Sequence, residues 1–570
     1  MKLTKRLLSL ALTVLLLAGF FQFASAEAPQ PFAPAAGKDT SMYPLIFGAG
    51  AWHPLFTDEE PWLPSKLVPG TQMETIFSPE STLGADAGAM ESILGALLSL
   101  DMDAFGGAMI QLWDNSYGAI AMNAEGESIN DTISCVIPYL TYLGRTYSTF
   151  TDNPPAYAPF DLTMNAIKEA SYLAENQAFW TFDWRLNPIE NADLLHEYFE
   201  KIIDLYGQGN GHNGYYGEPF DKVNFNAISG SGPIALAYLD KYGTEYLASL
   251  VFNISMHGGS TLFGNIALGD FGFDAASLAQ GGLSMFGLQD SKVDGGDPFG
   301  IPSWLISGLY QMGTLDGLLK TFNFAARGAY KKFYEDALIP IWFQMPVYLC
   351  MIPTKDYAAA KQYLFKGDHK YDILLEGADA YHDIMAMQDE LILKAAAKIK
   401  LSVRVGYGCP LSPYAVGTNV SSDKLVDTQY ASLGATCAPP GLPFSFFYRQ
   451  KKLCGKDYIS PDRYVDASTC LLPDVTWFAK DLPHTAQWDY SGWYGWWLQA
   501  KDYTIWDDGR FPQYSQWAPK DTGKGEIADH FTTLEVTEPV WLTHLKTFGL
   551  NLLRAWRWII LTPLFWMDCL

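Results

Sequence analysis

The order of apolar and polar residues predicts a parallel β-sheet with helices between its strands. The short apolar run at Tyr43–Phe47 is typical of a buried strand, and Val223–Ile228 and Leu247–Ile254 are also strand-like. Pro233–Tyr242 has helical spacing and a proline in its first turn, where proline is tolerated. A strand, a helix and a second strand in this order form the βαβ unit of a parallel sheet. We therefore predict an α/β fold.

The pattern changes after the third of these strands and divides the chain into segments. Residues 262–400 are glycine-rich and then mostly helical, and they are predicted to form an inserted cap or lid. Leu401–Val405 restores a strand, so residues 27–261 and 401–490 form the two parts of the core. Residues 491–570 are an aromatic-rich extension with an amphipathic end.

The N-terminus has the three-part pattern of a secretory signal peptide. Basic residues precede an apolar run from Leu7, and the run closes on Ala24-Ser25-Ala26. A retained transmembrane helix is the alternative, but Ser9, Gly19 and Gln22 interrupt the run. Residues 1–26 therefore predict a secreted or extracytoplasmic protein, one that is membrane-associated if a later segment binds lipid.

Composition narrows the class of partner. The 570 residues are 49% hydrophobic and 18% charged, as in a large globular chain, and the net charge is −24. Such an acidic surface repels nucleic acid, so no nucleic-acid partner is expected. Four of the seven cysteines lie between positions 409 and 470 and would allow two disulfides in three pairings. They lack zinc-finger spacing, and no metal is expected.

The glycine-rich turn after Val223–Ile228 is a candidate nucleophile elbow. A serine that attacks acyl groups projects from a sharp strand-to-helix turn flanked by small residues. Ser229 fits this position, with Ala227 and Ser231 where glycines are common. The alternative frame makes Ser231 the nucleophile and sets Pro233 two residues after it. We favour Ser229 because its flanking residues are small.

The acid and the base of such a site follow the serine in the chain. Asp462 and His484 are the predicted acid and base, because a strand-like run at Val475–Phe478 separates them. Three other aspartates in the same region stay open as alternatives, since loop carboxylates often only cap turns: Asp457, Asp466 and Asp474.

An acyl-transfer site also needs two backbone N–H groups that stabilise the oxyanion. We expect them from Ala51, in the loop after the first strand, and from Gly230, directly after the serine. His53 is expected to be a surface or packing residue rather than a catalytic one, and His257 is expected to shape the mouth of the site. The chemistry requires no cofactor.

The motif Phe182-Asp183-Trp184-Arg185 resembles one in the lecithin:cholesterol acyltransferase-like family of α/β-hydrolases, which includes lipases, phospholipases and acyltransferases. The resemblance covers about Tyr43 to Gln487 and implies an α/β-hydrolase fold, a mostly parallel central sheet and an inserted helical cap. Further segments stand in the family's order: PLIFGAGAWHPLF at 44–56, SMHGGS at 255–260, MPVYLCMIP at 345–353, VRVGYGCPLSP at 403–413 and Asp462-Arg463-Tyr464-Val465.

These observations predict a serine carboxylic-ester hydrolase that acts on lipid acyl esters through an acyl-enzyme. Two alternatives stay open: an O-acyltransferase with the same mechanism, and a catalytically silent lipid-binding protein on the same scaffold. Trp541–Leu570 has apolar residues at helical spacing with Lys546, Arg554 and Arg557 on one stripe. This end is predicted either to lie in a membrane interface or to fold back on the protein.

Overall fold

The computed structural model describes residues 39–48, 50–51, 55–57, 75–77, 92–93, 96, 99, 101–129, 133–134, 177–180, 182–210, 218–272, 275, 309, 312–411, 420–452, 456–481, 484, 497–500 and 503–505. Three parts of the sequence-based predictions lie outside these residues: the signal peptide, His53 and the amphipathic end at Trp541–Leu570. Within the described residues, no helix is long and apolar enough to cross a membrane.

Strands and helices alternate between positions 177 and 267 in the described chain. The strands are β1 Leu45–Gly48, β2 Leu55–Thr57, β3 Thr75–Phe77, β4 Ile133–Ser134, β5 Gln177–Trp180, β6 Val223–Ile228, β7 Leu247–Asn253, β8 Lys400–Tyr407, β9 Cys409–Pro410, β10 Ser421–Ser422, β11 Thr436–Cys437, β12 Val465–Asp466 and β13 Thr476–Lys480. The α-helices are α1 Met102–Tyr117, α2 Pro188–Tyr206, α3 Ser231–Lys241, α4 Thr261–Ala267, α5 Thr314–Ala325, α6 Arg327–Phe333, α7 Pro346–Cys350, α8 Thr354–Phe365, α9 Asp372–Ala386, α10 Gln388–Ala396 and α11 Thr428–Ala431.

The central sheet has six strands in the order β13-β8-β7-β6-β1-β5, and every neighbouring pair is parallel. Every residue of β6 and of β8 is buried, because helices cover both faces of a parallel sheet. The predicted runs at Val223–Ile228, Leu247–Ile254 and Leu401–Val405 correspond to β6, β7 and β8. The predicted α/β class with a mostly parallel sheet is confirmed.

The described part of the inserted segment between β7 and β8 is mostly helical, as expected, and its helices have two different roles. α9 and α10 pack on α3, which itself packs on α2, so they belong to the layer that covers the sheet. α6 packs on α1 instead, and a nine-residue π-helix, Tyr334–Trp342, continues from α6. α5 contains no buried residue.

The structure also describes part of the Trp-rich extension and three of the four clustered cysteines. The described residues of the Trp-rich extension, 497–500 and 503–505, pack against β8, although the sequence predicts no role for the extension. There the buried Lys400 on β8 donates to the carbonyl oxygen of Ala500 at 2.7 Å, and its Nζ lies 5.2 Å from the rings of both Trp497 and Tyr503. Cys409, Cys437 and Cys470 are free thiols, so the two disulfides considered from the spacing are not formed.

Candidate active site

Ser229 occupies the turn that joins β6 to α3. It has a φ of +51°, a region that residues other than glycine rarely adopt. Its backbone N–H donates to Asn253 O on β7 at 3.0 Å, and its carbonyl accepts from Gly232 N–H at 3.0 Å. The side chain is 4% exposed. A strained serine between a strand and a helix is the nucleophile elbow of the α/β-hydrolase fold.

The backbone around the elbow is close to its neighbours, which explains the small residues there. A Cβ on Gly232 would lie 1.6 Å from Ser255 Oγ, and one on Gly230 would lie 2.6 Å from the backbone nitrogen of Ala51. Ser231 has no exposed surface, and its hydroxyl donates to Ile228 O at 2.8 Å. Ser231 is thus disfavoured as the nucleophile, because its hydroxyl is buried and bonded to the carbonyl oxygen of Ile228.

His484 connects Ser229 to a carboxylate. Its Nε2 lies 2.8 Å from Ser229 Oγ, and its Nδ1 lies 2.8 Å from Asp423 Oδ2. An ionised carboxylate only accepts hydrogen bonds, so Nδ1 carries the proton and Nε2 accepts from the serine hydroxyl. This is the tautomer that a general base next to a serine needs.

Asp423 lies in the loop between β10 and α11 and is 1% exposed. Its Oδ1 accepts the backbone N–H groups of Leu425 at 3.1 Å and of Val426 at 2.8 Å. Its carbonyl oxygen accepts the backbone N–H of His484 at 2.8 Å. These bonds fix the carboxylate and join the acid loop to the histidine loop, so the imidazole is oriented from two directions.

The loop of Asp423 is also attached to the beginning of α4, close to the elbow. Ser260 Oγ donates to Leu425 O at 2.6 Å, and Asp427 Oδ2 accepts the backbone N–H of Thr261 at 2.8 Å. Burial raises the pKa of the Asp427 carboxyl above its usual value. The first residues of the inserted segment and the acid loop therefore form one connected unit.

The structure corrects the predicted pairing of Asp462 with His484. Asp462 is buried, but its Oδ2 accepts from the Tyr407 hydroxyl at 3.1 Å and lies 3.3 Å from Lys480 Nζ. Its Oδ1 accepts from Ser460 Oγ at 2.6 Å. Burial, followed by the charge of Asp462, raises the pKa of the Tyr407 phenol well above its usual value. Asp462 is therefore part of a structural cluster between the ends of β8 and β13.

The other aspartates considered as acids also serve turns and neighbouring chains. Asp457 caps its own turn by accepting Ile459 N–H at 3.1 Å. Asp466 accepts the Tyr448 hydroxyl and Lys451 N–H, both at 2.8 Å. Asp474 is joined to Lys456 at 3.1 Å. In the sequence Asp423 is distinguished only as the first carboxylate after the strand Leu401–Val405, a position that does not by itself identify the acid.

The two predicted oxyanion donors lie side by side. A Cβ on Gly230 would meet both the backbone nitrogen and the Cβ of Ala51, at 2.6 and 2.9 Å. Gly230 is the N-cap residue of α3, where N–H groups point away from the helix and the helix dipole favours negative charge. Among the described residues, neither N–H has an acceptor. Their positions allow both to bind an oxyanion beside Ser229.

His257 lies beneath the elbow, not at the mouth of the site. It has no exposed surface, and its Nδ1 is 2.8 Å from Ser255 Oγ, the group that faces Gly232. Burial lowers the pKa of His257 to about 3, so the ring is neutral at ordinary pH. It packs against the ring of Phe252 and does not contact Ser229 in this structure.

The motif Phe182-Asp183-Trp184-Arg185 connects three parts of the fold. The Arg185 side chain is fully buried and pairs with Asp183, with Nη2 at 2.6 Å from Oδ2. Its Nη1 donates to Ile120 O after α1 at 2.9 Å, and its carbonyl accepts Val347 N–H of α7 at 3.1 Å. The motif thus holds the inserted segment against the core, apart from the Ser229 site.

The sheet, the elbow and the Ser229–His484–Asp423 contacts define an α/β-hydrolase fold with a serine-histidine-aspartate arrangement. Among the described residues, no group of three or more His, Cys, Asp or Glu is placed to hold a metal ion. No protein-family model matches the chain, and no curated protein sequence matches it. One solved chain, from "The crystal structure of Tle4-Tli4 complex", is 11% identical with a TM-score of 0.30, and the alignment covers 64% of this chain and 74% of that one. A likeness at this level carries no functional argument, so the function is argued from the site.

Proposed function

We propose that this protein hydrolyses carboxylic esters through an acyl-enzyme on Ser229. The observation that carries the proposal is the pair of 2.8 Å contacts that link Ser229 Oγ to His484 and His484 to Asp423. In this assignment Ser229 is the nucleophile, His484 the general base and acid, and Asp423 the group that orients and stabilises the imidazole. Asp423 takes the role that the sequence assigned to Asp462.

The reaction follows from these positions in two halves. His484 Nε2 takes the hydroxyl proton as Ser229 Oγ attacks the ester carbonyl, and the N–H groups of Gly230 and Ala51 bind the oxyanion. The imidazolium then returns the proton to the leaving alcohol, which leaves an acyl group on Ser229. Water, deprotonated by His484, attacks this acyl group, and the imidazolium returns the proton to Ser229 Oγ as the acid is released.

Lipid-like acyl esters are the substrate class that we propose. α5 supports this choice, because it has no buried residue although it carries Leu318 at 57% exposure and Phe324 at 69%. Exposed apolar side chains in an inserted helical segment offer contact area to an acyl chain, at about 0.8 kcal/mol for each methylene removed from water. A soluble, short-chain ester would gain nothing from such a surface.

Turnover of nitrophenyl acetate and nitrophenyl octanoate tests both parts of the proposal. We expect a higher kcat/KM for the octanoate, and a loss of about 10³-fold or more of kcat for both esters in Ser229→Ala. Ser231→Ala is the matched control, two residues away, and is expected to keep the activity. A fluorophosphonate should label the wild type at Ser229, as located by peptide mapping.

The outcomes separate the alternatives left open by the sequence. Loss of labelling in Ser231→Ala but not in Ser229→Ala would move the nucleophile to Ser231. A folded wild type that neither reacts with the fluorophosphonate nor hydrolyses any ester would contradict an enzymatic function. Preference for acetate would leave the mechanism intact and overturn the lipid substrate.

A further inference from the structure

The loop between β11 and β12 carries the most exposed aromatic side chains of the described chain. Phe446 is 71% exposed and Phe447 is 82% exposed, and their rings form an edge-to-face pair with centroids 5.8 Å apart. Leu442, four residues before, is 46% exposed. We call residues 442–452 the aromatic loop.

Hydrogen bonds and ring contacts fix the backbone of the aromatic loop to the residues around Arg463. The Arg463 side chain donates to three of its carbonyl oxygens: Ser445 at 2.7 Å, Tyr448 at 3.2 Å and Phe444 at 3.3 Å. The rings of Phe444 and Tyr448 stack at 4.0 Å beneath the tip, while Asp466 accepts the Tyr448 hydroxyl at 2.8 Å. These contacts hold the backbone of the aromatic loop, while the side chains of Phe446 and Phe447 stay exposed to solvent.

The aromatic loop is connected to the carboxyl edge of the central sheet, the same edge at which the Ser229 site lies. Arg463, which binds the loop, directly follows Asp462, and Asp462 is bonded to residues at the carboxyl ends of β8 and β13. Ser229 follows β6, and His484 follows β13, at this same carboxyl edge. A surface that contacts the aromatic loop therefore approaches the side of the sheet on which the reaction would occur.

The charge of this segment is opposite to that of the whole chain. Residues 438–456 contain four basic residues and no acidic one, whereas the protein carries a net charge of −24. Arg449, Lys451 and Lys452 follow the two phenylalanines directly, and all three are exposed. Exposed aromatic rings next to cations suit the boundary of an anionic lipid layer, where rings enter the headgroup region and cations pair with headgroups.

We propose that the aromatic loop docks on anionic lipid surfaces by inserting Leu442, Phe446 and Phe447, with Arg449 and Lys451 at the headgroups. A protein partner fits less well, because a specific protein interface buries about 800 Å² on each partner and three side chains on a narrow tip offer less. A lipid layer needs no matching shape. The proposal deepens the proposed function and rests on it, since it places the Ser229 site near lipid esters.

Vesicle co-sedimentation tests this proposal without any need for turnover. The probes are vesicles of phosphatidylcholine with phosphatidylglycerol, and vesicles of phosphatidylcholine alone, mixed with full-length protein that carries Ser229→Ala. We expect binding to the mixed vesicles, and a loss of at least about tenfold in affinity when Phe446→Ser and Phe447→Ser are combined. Ile373→Ser, which removes an apolar side chain that is 65% exposed on α9, is the matched control and should leave binding unchanged.

A second pair of substitutions examines the cations. Arg449→Glu with Lys451→Glu should weaken binding to the anionic vesicles, and the weakening should shrink as salt is raised. Equal binding by the wild type and the Phe446/Phe447 variant would overturn the proposal. A lower molecular mass of that variant in solution, with unchanged vesicle binding, would instead show that the loop joins two copies of the chain. The same two phenylalanine substitutions, made in the protein that keeps Ser229, should leave hydrolysis of soluble nitrophenyl acetate unchanged, so a failure here is distinct from a failure of the proposed function.

Discussion

Two buried carboxylates at the carboxyl edge of the sheet have opposite surroundings. Asp423 accepts backbone N–H groups from Leu425 and Val426 and faces His484. Asp462 faces the ammonium group of Lys480 at 3.3 Å and the hydroxyl groups of Tyr407 and Ser460. Both side chains are nearly inaccessible, at 1% and 5% exposure. Burial alone therefore does not distinguish a catalytic acid from a structural one.

The difference lies in what each carboxylate stabilises. The charge of Asp462 is compensated by a lysine that is present at all times, so the pair joins the ends of two strands. Asp423 is oriented by uncharged N–H groups at one oxygen, and its other oxygen faces a ring that becomes positive only when it takes a proton. A carboxylate arranged in this way stabilises a charge that develops during a reaction.

The largest expected effect comes from Asp423→Asn. An amide in place of the carboxylate allows the neutral ring to present the wrong tautomer to Ser229, so kcat should fall by about 10⁴-fold. The folded state should persist, as measured by circular dichroism and by the midpoint of urea unfolding. An activity within tenfold of the wild type would contradict the assignment of Asp423.

Asp462→Asn is expected to have a smaller effect, on the stability of the protein rather than on kcat. The change removes the closer of two carboxylates beside Lys480, because Asp481 Oδ2 also lies 3.6 Å from its Nζ, and since the Lys480 side chain is 21% exposed, solvent offsets part of the loss. The free energy of unfolding should fall by about 1–3 kcal/mol in urea titrations, while kcat stays within about tenfold. If kcat falls as far as it does in Asp423→Asn, the two carboxylates cannot be separated in this way.

The smallest effect concerns Lys400, a buried cation on β8 whose hydrogen bonds go to carbonyl oxygens of the C-terminal segment. Burial lowers its pKa to about 7, so between pH 7 and about 10.5 the unfolded chain holds a proton that the folded chain lacks. The group's contribution to stability therefore rises with pH across this window. The wild type should gain on the order of 2 kcal/mol relative to Lys400→Met between pH 6.5 and 9.5 in urea titrations. A constant difference between the two proteins would show that Lys400 does not titrate in this window.

Sequence alone determined the features that depend on neighbouring residues. The strand-like runs located β6, β7 and β8, because strands that are buried on both faces are mostly apolar. The small residues around Ser229 marked the elbow, because a sharp turn leaves no room for a Cβ at Gly230 beside Ala51 or at Gly232 beside Ser255. Strand burial and the tight turn each constrain residues that are close together in the chain, so the order of residue types indicates both features.

Tertiary structure decided the identity of the acid. Asp423 and His484 are 61 positions apart, and their contact depends on how the loop after β10 attaches to α4 through Ser260 and Asp427. Loop aspartates look alike in sequence, since each caps a turn or binds a neighbour, as Asp457 and Asp466 do. The buried Lys400 was equally invisible, because the carbonyl groups and rings that satisfy it come from residues about 100 positions later. Contacts between distant segments carry no local pattern, and so only the folded chain reveals which charged group faces which partner.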